Sequence, residues 1–459
     1  MNLMNLIKSI RNFMSRRTFS ANVRNHFMNK YSSYDYFIAN RVEAEKNRLI
    51  DNRSQEVLYF HKVDDPYSHL TINCVDKFIS NYDVSIKPIL VGLENPETVH
   101  EPTLYDKYCL DDVKRIAPFY NINFPGTSIP SDELITKANS ILTAVDADNF
   151  IKIAQTVSFA LWTSDELALD NLLKTLNANK EEVVKKLNEG NAIRNSKGYY
   201  FGSAFYYENE CYWGVDRLPY LEKRLSELNL KTKGSDDPVC PLKINAPEQL
   251  SSTNKINLTY YPSLNSPYTF VSSKRVKQLR DHYPINLITK PVLPMLMRGM
   301  TIPTHKGVYI VSDAAREGRL HKHEIKSIYS PIGKPARAAF SLFPSIDALG
   351  QGFEYIDELL KASFQEGINI GDKDYLKDLV ISLGVDWNIV SKDLNSSNWK
   401  KDLDNNLSDM YSGNCWGVPS FKLTNEDGSN PYYVWGQDRI WLIKEEINRR
   451  IKKGTQSPL

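Results

Sequence analysis

The chain of 459 residues is long enough for two or three domains, because a domain averages about 150 residues. Hydrophobic residues make up 41% of the sequence and charged residues 24%, which excludes a disordered or fibrous protein. The 57 basic and 55 acidic side chains leave a formal net charge of +2, unlike the basic excess of a dedicated nucleic-acid-binding protein. No stretch reaches the roughly 18 apolar residues of a membrane-spanning helix. We therefore expect neither a nucleic-acid partner nor a membrane.

Residues 1–54 are predicted to form a basic N-terminal extension, either a tail or an extra helix. No acidic residue occurs among the first thirty, which contain several basic ones. Five of these basic residues are Lys8, Arg11, Arg16, Arg17 and Arg24. Such a start, containing Arg and Ser but no acid, is similar to an organelle presequence, so a mitochondrial location is the alternative to the cytoplasmic one that we prefer.

The cysteine count argues against several kinds of site. The five cysteines are Cys74, Cys109, Cys211, Cys240 and Cys415. They are odd in number and never two residues apart, which disfavours a disulfide scaffold, a zinc ribbon and a Cys-x-x-Cys redox centre, and suits a reducing compartment. His321 and His323 have no partner cluster in the sequence, so we expect no metal site.

An internal repeat organises the chain. Apolar runs at 57–60 and 256–261 each lead into a Pro-Tyr pair, and the two prolines, Pro66 and Pro267, lie 201 residues apart. A second apolar segment follows each pair at a similar offset. Proline suits the first turn of a helix, because its φ is preset and the missing N–H has no partner there. The pattern predicts strand, helix and strand in each unit.

The later part of each unit also matches. Residues 211–218 and 433–440 have similar sequences, and the stretches 140–173 and 346–364 have helical character. Each unit is thus predicted to continue with a large helical insertion, two short strands and a final helix. Apolar periodicity lapses in a segment rich in Pro, Gly and Ser between the two units. The predicted bounds are 55–230 for the first unit, 231–254 for a linker and 255–459 for the second unit.

Four motifs of the second unit occur in the order of a known family. They are Ser-Pro-Tyr at 266–268, Lys-Pro-Val-Leu at 290–293, Gly-x-Pro-x-Phe at 417–421 and Gly-Gln-Asp-Arg at 436–439. This order resembles the DsbA-like thioredoxin-fold proteins. It is most similar to kappa-class glutathione transferases and 2-hydroxychromene-2-carboxylate isomerases, in which Ser-Pro-Tyr replaces the Cys-containing redox motif. The predicted fold class is α/β, with two tandem thioredoxin-like domains that each carry a large all-helical insertion.

The resemblance implies glutathione as the cofactor, bound in the second unit. Ser266 would be the catalytic residue, because its hydroxyl and the helix N-terminus favour a thiolate. The glutathione-binding positions would be Lys306, Val418, Pro419 with a cis peptide bond, Asp438 and Arg439. Without such roles, Lys306 is expected to be exposed, Asp438 to cap the last helix and Arg439 to form a surface ion pair.

The activity implied is that of a glutathione-dependent isomerase or transferase acting on small electrophilic aromatic or enone substrates. A non-catalytic thioredoxin-like binding or chaperone-type module is the alternative. A dithiol oxidoreductase of the DsbA type is disfavoured, because neither unit has a cysteine at the start of its first helix.

The first unit is predicted to be a degenerate copy that acts as a scaffold. At the positions of Ser266, Lys306 and Pro419 it has Asp65, Tyr105 and Ser203. A carboxylate beside a thiolate would repel it and raise the thiol pKa. We also expect the two units to pack as an intramolecular pseudo-dimer, because isologous surfaces tend to persist after duplication.

Overall fold

The computed structural model of the protein describes residues 19–92, 94, 96–176, 180–232, 238–244 and 256–453. These residues form two compact units. The first unit runs from Ile38 to Ile244, and the second combines the described residues up to Phe37 with those from Ile256 onward. The predicted basic start at 1–18 and most of the predicted linker lie outside the described residues.

The first unit contains eight helices and a four-stranded sheet among its described residues. The elements are α2 (Tyr34–Ile50), which begins in the second unit, β1 (Glu56–His61), α3 (Pro66–Asn81), β2 (Ser85–Leu90), α4 (Pro102–Ile116), α5 (Asp132–Thr143), α6 (Ala147–Trp162), α7 (Glu166–Leu176), α8 (Lys180–Ser196), β3 (Ala204–Tyr207), β4 (Glu210–Trp213) and α9 (Gly214–Glu227). A 3-10 turn at Ala117–Tyr120 follows α4.

The second unit has its own four-stranded sheet within the described chain. Its elements are α1 (Phe19–Ser32), β5 (Ile256–Tyr261), α10 (Pro267–His282), β6 (Ile285–Thr289), α11 (Thr304–Leu320), α12 (Lys334–Ala348), α13 (Gly352–Lys361), α14 (Lys373–Ser382), α15 (Trp387–Val390), α16 (Trp399–Tyr411), β7 (Ser420–Asn425), β8 (Tyr432–Trp435) and α17 (Ile440–Lys453). The chain as described is thus mixed α/β and rich in helix.

The two sheets have the same topology. Their strand orders are β2-β1-β3-β4 and β6-β5-β7-β8. In each, the first two strands in sequence are parallel and the two later pairings are antiparallel. A parallel pair needs a crossover connection, which α3 and α10 provide. The helices between the second and third strands match the predicted helical insertions.

The central strands of both sheets are buried, and their aromatic side chains pack in the same way. In the first unit Tyr59 contacts Phe205, with ring centroids 5.1 Å apart. In the second unit Tyr260 stacks on Phe421, with centroids 5.5 Å apart. All four side chains are fully buried, so each ring pair fixes the register of a central strand against its antiparallel neighbour.

The helical insertion of the second unit has its own apolar core. Ala339, Phe340, Leu359 and Phe364 are fully buried in it, together with residues of α10 and α11. The apolar residues recur three or four positions apart along α12 and α13, so each helix presents one apolar face to this core. The insertion is therefore packed onto α10 and α11 rather than forming a separate body.

Helix α1 is an integral part of the second unit, which corrects the expectation that residues 1–54 form one separate extension. Asn25 Oδ1 accepts the backbone N–H of Ser330 at 2.9 Å, and Asn29 Oδ1 accepts that of Ile328 at 2.7 Å. Arg24 Nε donates to the Ser330 hydroxyl at 2.9 Å. Because Ser330 and Ile328 are buried, these bonds satisfy backbone donors that water does not reach.

None of the described helices combines the length and the apolar character that crossing a membrane requires.

Asp409 on α16 joins this helix to β5, to β7 and to the residue that follows β6. Its carboxylate accepts hydrogen bonds from the Tyr261 hydroxyl at 2.8 Å, Lys290 Nζ at 2.6 Å and Lys422 Nζ at 2.8 Å. Burial opposes the charge, but the bonds from Lys290 and Lys422 outweigh it and hold the pKa of Asp409 well below its usual range. The ionised carboxylate therefore favours the folded state.

We predict that Asp409→Asn lowers the free energy of unfolding of the second unit by about 1–2 kcal/mol at pH 7, a figure reduced for the partial solvent exposure of the cluster. A carboxyl group whose pKa is lowered by folding stabilises the folded state at pH values above its unfolded pKa of about 4. This stabilisation is lost as pH falls below that value. The variant should therefore show a smaller stability loss on acidification. Urea denaturation at several pH values measures both effects.

Asp404→Asn is the matched control, because Asp404 lies exposed on the same helix. Equal losses for the two variants would contradict the role assigned to Asp409.

Candidate functional site

Ser266 lies at the N-terminus of α10, directly after the loop that follows β5. It is the N-cap, and its hydroxyl oxygen accepts the backbone N–H of Thr269 at 3.1 Å. Pro267 occupies the first turn, as the sequence predicts. The Ser266 hydroxyl also donates to the carbonyl oxygen of Val418 at 3.4 Å. The helix N-terminus and the segment before β7 are therefore in contact.

The segment before β7 is held by the end of β8. The Val418–Pro419 peptide bond is cis. The Pro419 carbonyl accepts the backbone N–H of Gly436 at 2.9 Å. Gly436 has a φ of 102°, a value in the left-handed region that a residue with a Cβ rarely adopts. This glycine thus allows the chain to turn from β8 into the next helix beside Pro419.

Lys306, near the start of α11, is buried, contrary to the expectation of an exposed lysine. Only 5% of the residue is exposed. Its Nζ lies 5.3 Å from the centre of the Trp416 ring, within range of a cation–π interaction. Burial lowers the pKa of Lys306 to about 8. At neutral pH the site therefore contains a buried and largely protonated lysine. Its contact residue, Trp416, lies two positions before Val418 in the sequence.

Asp438 and Arg439 follow Gly436 in a 3-10 turn at Gln437–Arg439, which leads into α17. Gly436, and not Asp438, stands at the N-cap of this turn, and Arg439 is 3% exposed, so the surface ion pair considered for Arg439 is wrong. The turn is anchored by Gln437, whose Nε2 donates to Glu317 of α11 at 2.7 Å and to Asp438. Asp438 itself is partly exposed.

The sequence-predicted positions thus come together through a chain of contacts. Ser266 contacts Val418. Pro419 contacts Gly436, which precedes Asp438 and Arg439 in the sequence. Lys306 contacts Trp416, which directly precedes Gly417. The arrangement combines a hydroxyl, a helix N-terminus and a buried cation. Hydroxyl and helix terminus suit a thiolate, and the cation suits a carboxylate.

Sequence reasoning missed the two tryptophans of the site. Trp416 and Trp435 have ring centroids 5.4 Å apart, and Trp416 is buried. The indole Nε1 of Trp416 has no hydrogen-bond partner among the described residues. A buried donor without a partner is costly, so this group fits a site that receives a polar ligand. The only sequence signal was their position beside the 417–421 and 436–439 motifs.

Cys415 does not lie at the start of α10. Its side chain is fully buried, and its Sγ donates to the Gly413 carbonyl at 3.5 Å. His323 stacks on Phe270 with centroids 4.2 Å apart, and burial lowers its pKa to about 4. Among the described residues, no group of three His, Cys, Asp or Glu side chains is placed to hold a metal ion.

The equivalent position of the first unit differs in chemistry. Asp65 caps α3, and its carboxylate accepts the Tyr67 N–H at 3.0 Å and the Ser68 hydroxyl at 3.1 Å. Burial raises the pKa of Asp65 to about 7, so the carboxyl is only about half ionised at neutral pH. The negative charge expected for Asp65 from the sequence is therefore partly removed. Even when neutral, this carboxyl group adds no positive charge that would stabilise a thiolate.

Side chains also fill the space around Asp65. Lys62 pairs with Asp64 at 3.4 Å and with Glu94 at 3.2 Å. A Cβ atom on Gly202 would lie 2.6 Å from the Lys62 Cβ and 3.3 Å from an Asp65 oxygen. Lys62 and Asp65 are both buried. The first unit therefore lacks, at this place, the partly exposed hydroxyl that Ser266 provides.

The two units share individual hydrogen bonds. Tyr67 donates to Asp112 at 2.7 Å in the first unit, and Tyr268 donates to Asp313 at 2.8 Å in the second, and the partners are 45 positions apart in each case. The N–H of Gly214 binds the Ser203 carbonyl, as that of Gly436 binds the Pro419 carbonyl.

Gly417 allows the close approach of the Trp435 ring. A Cβ atom at this position would lie 2.5 Å from Trp435 Nε1 and 2.6 Å from Cζ2. We predict that Gly417→Ala displaces the ring and lowers the free energy of unfolding by about 1–3 kcal/mol. Urea denaturation and tryptophan fluorescence measure the two effects.

Gly307→Ala in α11 is the control, since the nearest atom to its Cβ would be 3.8 Å away. It should be neutral or stabilise by up to about 1 kcal/mol, because alanine favours helix. A Gly417→Ala variant with unchanged stability and fluorescence would refute the tight contact.

Comparison with known proteins identifies part of the chain. Residues 257–448 match the family of DSBA-like thioredoxin domains. No curated protein sequence matches the chain. Similar solved structures have TM-scores below 0.4, and their sequence identities are below 20%.

One of these structures is a 2-hydroxychromene-2-carboxylate isomerase, which is 19% identical, with 44% of this chain and 100% of that chain covered and a TM-score of 0.37. The cytosolic disulfide reductase DsbM from Pseudomonas aeruginosa with GSH is 14% identical, with 42% and 99% covered and a TM-score of 0.31. The oxidoreductase DsbA from Xylella fastidiosa is 13% identical, with 44% and 91% covered and a TM-score of 0.27. On the family match, residues 257–448 are a DsbA-like thioredoxin domain.

Proposed function

We propose that the second unit binds glutathione and uses its thiol on small electrophilic substrates, aromatic compounds or enones. The reaction would be an isomerisation, as in 2-hydroxychromene-2-carboxylate isomerases, or a transfer. The observation that supports this most is the contact of the Ser266 hydroxyl with the Val418 carbonyl at the N-terminus of α10. A helix N-terminus, which can stabilise a thiolate, therefore lies next to the backbone of Val418.

The residues of the site fit the functional groups of glutathione. When bound, glutathione supplies a thiolate nucleophile, together with two carboxylates and an ammonium group. Ser266, Val418 and Pro419 would face the cysteinyl part. The charged groups would be held by Lys306, Asp438 and Arg439.

Ser266 can change the partner of its hydroxyl at little cost. Its oxygen accepts from Thr269 at 3.1 Å, whereas the hydrogen bond that it donates to Val418 is long, at 3.4 Å. A bond of this length is weak, so the hydroxyl can rotate to donate to a thiolate instead. Together with the positive end of α10, this donor lowers the pKa of the bound thiol.

Lys306 would hold a carboxylate because its surroundings desolvate the ammonium group. Burial lowers the pKa of Lys306, and an anion beside it would reverse that shift. The Trp416 ring lies beside Lys306 and packs against Trp435, whose partly exposed ring would offer an apolar contact to a substrate. Such a contact suits an aromatic or conjugated electrophile.

The cysteine positions do not favour dithiol chemistry in this unit. No cysteine occurs in α10, and Cys415 is buried against the Gly413 carbonyl. Exchange between a dithiol and a disulfide needs an accessible thiolate, usually activated at a helix N-terminus. The nucleophile would therefore come from the bound thiol and not from the chain.

We also propose that the two units are copies produced by tandem duplication and that the first is a thioredoxin-like scaffold. The shared strand order, the equal spacing of Tyr67 to Asp112 and Tyr268 to Asp313, and the matching glycine hydrogen bonds support this. The buried Asp65 in the place of Ser266 favours a single working site in the second unit.

We predict that Ser266→Ala reduces turnover about 100-fold, because one donor to the developing charge is lost. Asp65→Ala should leave turnover nearly unchanged. Both variants remove an N-cap and so cost a similar stability of about 1 kcal/mol, which makes them a matched pair. Calorimetric titration with reduced glutathione and assays on enone and aryl electrophiles measure binding and turnover.

One glutathione site per chain, altered only by Ser266→Ala, is the expected result. Equal losses of turnover in the two variants would contradict a single active unit. Absence of glutathione binding to the wild-type protein would overturn the proposed function and favour a non-catalytic binding module.

The charge of Lys306 predicts a pH dependence of binding. A lysine with a pKa of about 8 is mostly protonated at pH 7 and mostly neutral at pH 9. The affinity for S-methylglutathione, which has no free thiol, should therefore fall as pH rises through this range, by up to about tenfold. Calorimetric titrations at several pH values measure the change.

Lys306→Arg is the control, because a guanidinium keeps its charge at pH 9. Its affinity should decrease less than that of the wild type over the same range. A pH dependence identical in the two proteins would exclude Lys306 as the carboxylate partner.

A further inference from the structure

The segment 238–244, which ends the first unit in chain order, lies against α9 and the 3-10 turn after α4. The backbone N–H of Val239 donates to both carboxylate oxygens of Glu222, at 2.9 and 3.1 Å. Lys243 Nζ donates to the Phe119 carbonyl at 2.9 Å and lies 5.0 Å from the centre of the Tyr120 ring. The segment is thus held at both ends by polar contacts.

Between these two contacts, the segment brings two cysteines together. The Sγ atoms of Cys240 and of Cys74 on α3 are 3.4 Å apart. Both residues are buried, with 0% and 6% of their surfaces exposed, and both are reduced. Cys211 and Cys415 instead donate to carbonyl oxygens, that of Lys197 at 3.7 Å and that of Gly413 at 3.5 Å.

We propose that Cys74 and Cys240 form a reversible disulfide that fastens the segment 238–244 to α3. The two sulfurs need to close only from 3.4 Å to the bond length of about 2.0 Å. Cys240 lies in a segment without regular secondary structure, so its backbone can adjust to the dihedral angle that the bond requires. This modification site is independent of the glutathione site proposed in the second unit.

The oxidant is a low-molecular-weight disulfide. One cysteine thiolate attacks it, forms a mixed disulfide and releases one small thiol. The other cysteine thiolate then attacks the protein sulfur of the mixed disulfide and releases the second small thiol. The two cysteines together lose two electrons and two protons, and the oxidant takes up both.

The surroundings of the pair keep it reduced under mild conditions. The hydrogen bond with Cys74, followed by burial, raises the pKa of Cys240. Since the thiolate is the reactive form, oxidation should be slow while the segment stays closed. Once formed, the disulfide would close a long loop of the first unit and stabilise that unit against unfolding.

The test uses the full-length protein in buffers of 2-hydroxyethyl disulfide and 2-mercaptoethanol of increasing oxidising power. Free thiols are counted after denaturation, and the disulfide is located by digestion without reductant and mass spectrometry. We expect the thiol count to fall from the five cysteines of the sequence to three. A single cross-linked peptide pair should contain Cys74 and Cys240.

Cys74→Ser and Cys240→Ser should each abolish this cross-link, and Cys211→Ser, which changes a partly exposed cysteine, should retain it. Oxidation should also raise the melting temperature of the wild type but not that of Cys74→Ser. The proposal is overturned if Cys74 and Cys240 of the wild type both remain open to alkylation in the most oxidising buffer. That result needs no variant and so does not depend on variant folding.

Discussion

The pairing of β5 with β7 is the constraint on which the site depends. Their antiparallel register sets Tyr261 opposite Ser420, at the end of β5 from which the chain enters α10. The loop after one strand and the loop before the other therefore meet, and Ser266 reaches Val418 without a long side chain. The stacked Tyr260 and Phe421 rings hold this register from within the sheet. A slip by one residue would reverse the faces of β7 and separate the two loops.

An equivalent antiparallel pairing, of β1 with β3, exists in the first unit. Comparing the two units shows which features belong to the shared fold and which belong to the site. The strand order, the buried ring pair and the tyrosine-to-aspartate hydrogen bond are alike in both. The residue at the helix N-cap is not. Ser266 is partly exposed and neutral, whereas Asp65 is buried, and burial raises its pKa to about 7. Two backbone frames of the same strand order thus present different groups at the corresponding helix end.

Much of this frame could be predicted from the sequence, because its signals are local. A strand followed by a proline-started helix needs only a short stretch of chain, and the repeat made the two stretches support each other. Burial could not be predicted in the same way. Lys306 reads as an exposed lysine, and its lowered pKa arises from groups distant in sequence, such as Trp416. The position of α1 in the second unit could not be predicted from the sequence either, because its hydrogen bonds join residues about 300 positions apart, such as Arg24 and Ser330.

The position of α1 has a consequence for how the protein is made. Arg24 leaves the ribosome 306 residues before its partner Ser330, and the whole first unit is synthesised between them. At about 5–20 residues per second this interval is roughly 15–60 s. During that time the face of α1 that will pack on the second unit has no partner from its own unit. The first unit can fold as soon as it has been synthesised. The second unit can pack against α1, the helix synthesised first, only after its own C-terminal residues have been made.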